Sequence, residues 1–221
     1  METLLLSAAE IRVLGALIEK QITTPDYYPL TLNALTNACN QTSNRDPVVS
    51  FDESTVVRAL EALREKRLAI LFDGATSRVP KYAHKLTDSL GLSPPEVAAL
   101  AVLFLRGPQT AGEIRGRSGR LHEFATIEET DATLRGLAER SPPLAVKLPR
   151  QPGCKEPRHA HLLSGPVTLE APDRTPPPEP ATLAVRAENE RLARLEAETA
   201  ALRQELMELK NELADFKRQL G

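Results

Sequence analysis

The chain has 221 residues, a formal net charge of −2 and 41% hydrophobic residues, which is the size and composition of an ordinary soluble protein with two small domains or one domain plus extensions. Its longest apolar run, Val97 to Leu105, is too short to cross a bilayer and its N-terminus lacks the basic start of a signal peptide, so we expect a cytoplasmic protein with no membrane association. Residues 1–86 and residues 87–170 each carry ten basic and ten acidic side chains, which argues against strong sequence-independent DNA binding and allows only a local basic patch.

Two helices are predicted at the start of the chain. Ser7 and Glu10 have capping-box spacing, so the first helix should begin there and end near Lys20. Residues 21–30 contain two prolines and should form an extended loop, after which Thr31 can cap the second helix. The buried stripe predicted for the first helix is Ile11, Leu14, Leu17 and Ile18.

A third helix and a two-stranded ribbon are predicted next. The helix should run from about Glu53 to Lys66, and strands at Leu68–Phe72 and Val79–Leu86 flank the hairpin-turn pair Asp73-Gly74. The apolar stripe of this helix is Val56, Leu60 and Leu63. A helix followed by such a ribbon is typical of the second half of a winged-helix unit, in which the helix can enter a nucleic-acid groove.

The second half of the chain repeats this order. Ser93 and Glu96 form another capping-box pattern, Pro108-Gln-Thr110 echoes Pro29-Leu-Thr31, and Ala160-His161-x-Leu163 echoes Ala83-His84-x-Leu86. The stripe that matches the first helix is Val97, Leu100, Leu103 and Phe104. Several echoes in the same order indicate a tandem repeat of one supersecondary unit of about 80 residues, and units that small are expected to pack on each other.

The C-terminal residues predict a linker and a coiled coil. Residues 171–181 are proline-rich and should be extended, whereas residues 182–221 follow a heptad pattern with opposite charges at paired g and e positions. This pattern favours a parallel homodimer, with a single helix folded back onto the body as the alternative. The predicted dimer contacts are Leu192, Leu195, Leu202, Leu206, Leu209, Leu213, Phe216 and Leu220.

The motif EKQITTPDYYPLTLNALTNACNQTSNRDPV (Glu19 to Val48), together with Tyr82-Ala-His84-x-Leu86 and the segments GPQTAGEIRGRS and LPRQPG, resembles the uncharacterised bacterial YceH-like family over roughly residues 7–165. The resemblance implies a pair of winged-helix domains, often followed by a C-terminal helix, and carries no established activity or catalytic residue. The predicted fold is thus mainly α with small β-ribbons (α+β): winged-helix domains at 1–88 and 89–170, a linker at 171–181 and a coiled-coil helix at 182–221.

Arginines and lysines near the two predicted ribbons are the candidate DNA contacts, because these side chains bind phosphate and guanine. Acidic residues at the start of both third helices weaken those helices as readers of bases, so the loops and ribbon of the second unit are the better surface. The candidate DNA-binding residues are Arg58, Arg78, Lys81, Arg115, Arg117, Arg120, Lys147, Arg150 and Arg158.

Catalytic, cofactor and metal sites are not expected. Cys154, His159 and His161 lack zinc-module spacing and a fourth ligand, and the glycines from Gly107 to Gly119 lack the lysine and the strand of a phosphate loop. His84 and His161 are interpreted as core histidines with hydrogen bonds. Two functions remain open: a dimeric DNA-binding protein, transcriptional or nucleoid-associated, and a protein-protein interaction scaffold without direct DNA binding.

Overall fold

Helices and small antiparallel sheets alternate along the residues that the computed structural model describes, which are 4–72, 79–151 and 153–167. All of these residues belong to one compact unit covering residues 1–168. In chain order the elements are α1 (Ala8–Thr23), β1 (Leu30–Thr31), α2 (Leu32–Cys39), α3 (Glu53–Glu65), β2 (Ala69–Phe72), β3 (Lys81–His84), α4 (Leu86–Leu90), α5 (Pro94–Arg106), α6 (Ala111–Ser118), α7 (Ile127–Glu139), β4 (Ala145–Lys147) and β5 (His159–His161).

The start of α1 follows from its capping box. The backbone N–H of Ser7 donates to Glu10 Oε2 at 2.7 Å, and the N–H of Glu10 donates to Ser7 Oγ at 3.3 Å, as the sequence predicts. The predicted end near Lys20 is wrong, because α1 continues to Thr23. Nothing before Pro25 breaks the helical ladder, and a short 3₁₀ turn (Pro25–Tyr27) follows.

The first sheet has the strand order β1-β3-β2 and is antiparallel throughout. Leu30 lies opposite Tyr82 in one pair, and Ala69 lies opposite His84 in the other. The prediction that the second strand reaches Leu86 is wrong, because β3 ends at His84 and Leu86 begins α4 with its side chain fully buried. The hairpin turn at Asp73-Gly74 lies outside the described residues.

The second half has the same order of elements on a smaller scale. Strands β4 and β5 pair antiparallel, and Gln109 bridges His159 through two backbone hydrogen bonds of 3.0 and 2.7 Å. Gln109 therefore extends this ribbon by one bridge. It lies just ahead of α6, as β1 lies just ahead of α2 in the first half. The predicted capping box before α5 is present, since the Ser93 N–H donates to Glu96 Oε2 at 2.8 Å. Thr110, which echoes Thr31, forms a further capping box with Glu113 before α6.

Helices α1 and α5 form the middle of the core, and they are the most extensively contacting pair among the described helices. Every residue of α5 from Val97 to Leu105 is buried. At Gly15 the helices approach so closely that an added Cβ would lie 2.9 Å from Leu105 Cδ2. The two predicted units thus share one apolar core, which runs through both halves.

The predicted linker at 171–181 and the predicted coiled coil at 182–221, with all its proposed dimer contacts, lie outside the described residues. Within the described part of the chain, no helix is long and apolar enough to cross a membrane.

Candidate nucleic-acid interface

Helix α6 carries the basic residues that the sequence singled out most strongly. Ile114 and Ser118 are fully buried and hold the helix against the core, so that Arg115 and Arg117 on its other faces are exposed. Arg120 follows in the exposed turn after the helix. The helix and the turn after it therefore present three exposed arginines within six positions.

Arg115 is engaged in holding the loop that leads to α7. Its Nε donates to the carbonyl oxygen of Phe124 at 3.2 Å, and its Nη2 donates to that of Ala125 at 2.8 Å. Two bonds to one loop fix the guanidinium plane. Arg115 thus contributes positive charge to the surface, with a second role in loop structure.

Arg117 and Arg158 meet at one carboxylate. Arg117 Nη2 lies 3.6 Å from Glu113 Oε1, and Arg158 Nη2 lies 3.9 Å from the same atom. Arg158 Nη1 also donates to the carbonyl oxygen of Pro108 at 3.0 Å. The structure therefore brings together two predicted contact residues from segments about 40 positions apart in the chain.

A further arginine, Arg106 at the end of α5, joins this group. It lines a small cleft of about 40 Å³ with Arg117, Arg120 and Glu19, and its Nη2 donates to Asn44 Oδ1. Burial, and then the positive charge of Arg117, lower the pKa of Arg106. The sequence prediction missed Arg106, because position 106 reads only as the end of a helix and its neighbours come from other elements.

The remaining candidates of the second half lie on the ribbon. Lys147 is exposed at the end of β4, opposite His159 in the register, and Arg150 is exposed in the loop that follows. Lys147 also lines a cleft of about 170 Å³ with Asp131 and Arg135. These residues place two more exposed positive side chains on the ribbon and the loop after it, with the carboxylate of Asp131 beside Lys147.

The candidates of the first half are more dispersed. Arg58 is exposed on α3 and donates to Thr55 Oγ1 at 3.2 Å, while Lys81 on β3 is half-buried. Arg78 lies outside the described residues. The helix begins at Asp52, whose pKa is lowered to about 2 by hydrogen bonds from Thr55 and Ser54, so a full negative charge stands beside Arg58.

The first turn of α7 is acidic as well, through Glu128 and Glu129. Because carboxylates at a helix N-terminus repel DNA phosphates, neither α3 nor α7 offers its N-terminal end as a basic contact. The positive side chains that the structure does bring together belong to α5, α6 and the segment before β5.

The histidines and cysteines occupy different surroundings. His84 Nε2 lies 2.5 Å from Gln21 Oε1, in keeping with a core hydrogen bond, whereas His161 Nδ1 is buried without a partner among the described residues. Cys39 is buried and Cys154 is exposed, and both are free thiols. Over the described ranges, no group of three or more metal-ligating side chains is close enough to hold an ion.

Comparison with known proteins shows which proteins this chain is similar to. The sequence model described as "Protein of unknown function, DUF480" matches residues 6–154. The chain is similar to a UPF0502 protein of Geotalea uraniireducens, at 56% identity over 214 residues and 97% of both chains. It is also similar to a UPF0502 protein of Geobacter sulfurreducens, at 57% identity over 199 residues and 90% of both chains. A UPF0502 protein of Opitutus terrae is 53% identical over 199 residues, 90% of this chain and 83% of the relative. The expected resemblance to an uncharacterised bacterial family is thereby confirmed, while the name YceH-like stays a prediction.

Proposed function

The chain belongs to the DUF480 family of proteins of unknown function, and we propose that it is a non-enzymatic DNA-binding protein with two tandem winged helices. Its basic contact surface is called the α6 surface below and comprises Arg106, Arg115, Arg117, Arg120, Lys147, Arg150 and Arg158. In this role the protein acts in transcription or in nucleoid organisation.

The order of elements supports the winged-helix assignment. In the first half a strand, two helices and a two-stranded ribbon follow α1, and β3 pairs with both β1 and β2. In the second half the Gln109 bridge, α6, α7 and the β4–β5 ribbon follow α5 in the same order. A three-helix unit closed by a ribbon is a helix-turn-helix variant that binds duplex DNA in many proteins.

The meeting of Arg117 and Arg158 at Glu113 is the observation that carries the DNA proposal. A single carboxylate near two guanidinium groups leaves an excess of positive charge, and Arg106 and Arg120 border the same region. Such a local excess supports phosphate contacts even where the chain as a whole is neutral, because counterion release depends on the cations at the contact.

Binding to random-sequence duplex DNA at two salt concentrations tests this proposal. The full chain should bind at about 50 mM salt and weaken steeply towards 200 mM. A variant with Arg117→Gln, Arg120→Gln and Arg158→Gln should bind more weakly. Its slope of log affinity against log salt should be shallower by about 3, since each arginine that binds a phosphate contributes about one to that slope.

A charge-matched variant provides the control. Arg64→Gln, Arg67→Gln and Lys85→Gln remove the same three charges from α3 and the segments flanking the first ribbon. This variant should bind DNA nearly as well as the natural chain. Equal weakening in the two variants would show a nonspecific charge effect, and an absence of binding at low salt would refute the proposal.

A protein-protein interaction scaffold is the second candidate function. The acidic first turns of α3 and α7, and the equal numbers of acidic and basic side chains in residues 1–86 and 87–170, favour it. A pull-down with the full chain that returns one stoichiometric partner, combined with no DNA binding at low salt, would support this alternative.

Homodimerisation through residues 182–221 is part of both proposals. In a parallel coiled coil, the leucines at a and d positions pair with their copies and the g and e charges attract across the interface. Sedimentation of the full chain and of a chain ending at Glu170 tests this. A monomer in both cases would refute the dimer, and a dimer only in the longer chain would support it.

A further inference from the structure

A cleft of about 430 Å³ lies beside α1, at the end of the described chain. Its walls come from α1, α5, β5 and residues 46–51 and 164–167. Most of the lining is apolar, with Ile11, Phe51, Leu103, Phe104 and Ala160 among the contributors. A volume of this size and an apolar wall are typical of sites for small organic molecules.

Arg12 lies in the wall of this cleft, and its side chain is nearly buried, since the residue is only 4% exposed. Its Nη2 donates to the carbonyl oxygen of Pro47 at 2.5 Å, and its Nη1 approaches that of Cys39 at 3.4 Å. Among the described residues no carboxylate lies within 4.0 Å of it, and Asp46, which lines the same cleft, acts on it only from farther away.

Two other arginines with structural roles have a carboxylate within 4.0 Å, which Arg12 lacks in the described part of the chain. Arg45, whose side chain is 0% exposed, has Glu19 Oε2 at 2.7 Å, and Arg140 has Glu96 Oε1 at 3.3 Å. A buried cation with no carboxylate in direct contact is costly, and an anion brought to it gains a strong charge-assisted hydrogen bond. Arg12 is therefore suited to receive a carboxylate from a ligand.

His161 also lines this cleft. Its Nδ1 is buried and has no hydrogen-bond partner within the part of the chain that the structure describes. The ring packs edge-on against Phe104, with centroids 5.1 Å apart. Burial lowers the pKa of His161 to about 4, so the ring is neutral near pH 7 and forms part of the uncharged wall of the cleft.

We propose that this cleft binds a small monocarboxylic acid with an apolar body, whose carboxylate pairs with Arg12 while its body lies along Ile11, Leu103 and Phe104. This site uses none of the arginines and lysines of the α6 surface, although Pro108 lines the cleft and accepts a hydrogen bond from Arg158. The proposal does not rest on DNA binding.

Calorimetric titration of the full chain with octanoate and 4-phenylbutyrate tests the proposal, and octan-1-ol serves as the uncharged analogue of octanoate. At least one acid should bind, and octanoate should bind about tenfold or more tightly than the alcohol, since a hydrogen bond to a charged group is involved. No binding by either acid, or equal binding of octanoate and octan-1-ol, would overturn the proposal.

Two variants locate the site. Arg12→Met should remove the preference for the acid over the alcohol, and Ala8→Phe, at an exposed position on the rim of the cleft, should weaken both by obstructing entry. Arg58→Met, on the exposed face of α3, is the control and should leave binding unchanged. Ala8→Phe keeps the test decisive if Arg12→Met fails to fold, and acid binding that persists in Ala8→Phe would place the ligand elsewhere and refute this site.

Discussion

Replacement of Gly15 by alanine tests the packing of α1 against α5. An added Cβ at Gly15 would lie 2.9 Å from Leu105 Cδ2 and 3.0 Å from Phe104 Cβ, whereas one at Gly136 in α7 would meet nothing within 4 Å. Both glycines lie inside helices. The same substitution at the two positions therefore separates the steric contribution from helix propensity.

The magnitude follows from two opposing contributions. Alanine is favoured over glycine in a helix by about 1 kcal/mol, so Gly136→Ala should raise the free energy of unfolding by about that amount. Gly15→Ala gains the same propensity, but overpacking against the buried α5 side chains costs about 1–3 kcal/mol. The two variants should therefore differ by about 1–3 kcal/mol, with Gly15→Ala the less stable.

Urea unfolding of the full chain, followed by far-UV circular dichroism, measures this difference. In thermal unfolding, each kcal/mol corresponds to about 2–4 °C in Tm for a chain of this size. Equal stabilisation by the two substitutions would refute the close approach of α1 and α5 at Gly15.

Three further predictions concern buried polar groups and thiols. Glu19→Gln should lower the free energy of unfolding by about 3–5 kcal/mol, because it removes the charge that faces buried Arg45. The double variant Glu19→Gln, Arg45→Met should recover part of this loss, as measured by urea unfolding. Burial lowers the pKa of His84 from 6.5 to about 4. Between those values the unfolded chain binds more protons, so stability should fall as the pH falls from 6.5 to 4, and His84→Leu should flatten this slope in unfolding measured across the window. Burial also raises the pKa of Cys39 to about 12. A thiol reagent should therefore modify only exposed Cys154 in the native chain, and both cysteines in guanidinium. Rapid labelling of two thiols in the native chain would contradict this.

The helix starts could be predicted because caps are local. Ser7, Thr31 and Thr110 each accept a hydrogen bond from a backbone N–H three residues ahead, and this pattern is visible in the sequence. The apolar stripe of α3 was equally readable, since Val56, Leu60 and Leu63 follow helical spacing and are buried.

Short elements were less accessible to sequence reasoning. Leu86 continues an alternating strand pattern, yet it begins the five-residue helix α4. The apolar residues of this segment alternate in the same way whether Leu86 ends a strand or begins a helix. The packing of Leu86 in the core decides that it begins a helix. The predicted boundary between residues 88 and 89 falls inside this helix, which connects the two halves.

The candidate sites depended most on tertiary structure. Arg117 and Arg158 were named from their positions in the loops and ribbon of the second predicted unit, but only the fold brings both to Glu113. Arg106 and Arg12 lie next to apolar helix positions and would ordinarily be assigned to solvent, because isolated arginines usually are. Their burial depends on residues contributed by other segments.

The enclosure of α5 constrains how this chain can vary over evolutionary time. Its residues from Val97 to Leu105 are buried on every side, and a helix that is apolar all round must be surrounded by protein. A chain that retained only the second half would leave that helix uncovered and prone to aggregate. Substitutions accepted in α1 must therefore remain compatible with those in α5.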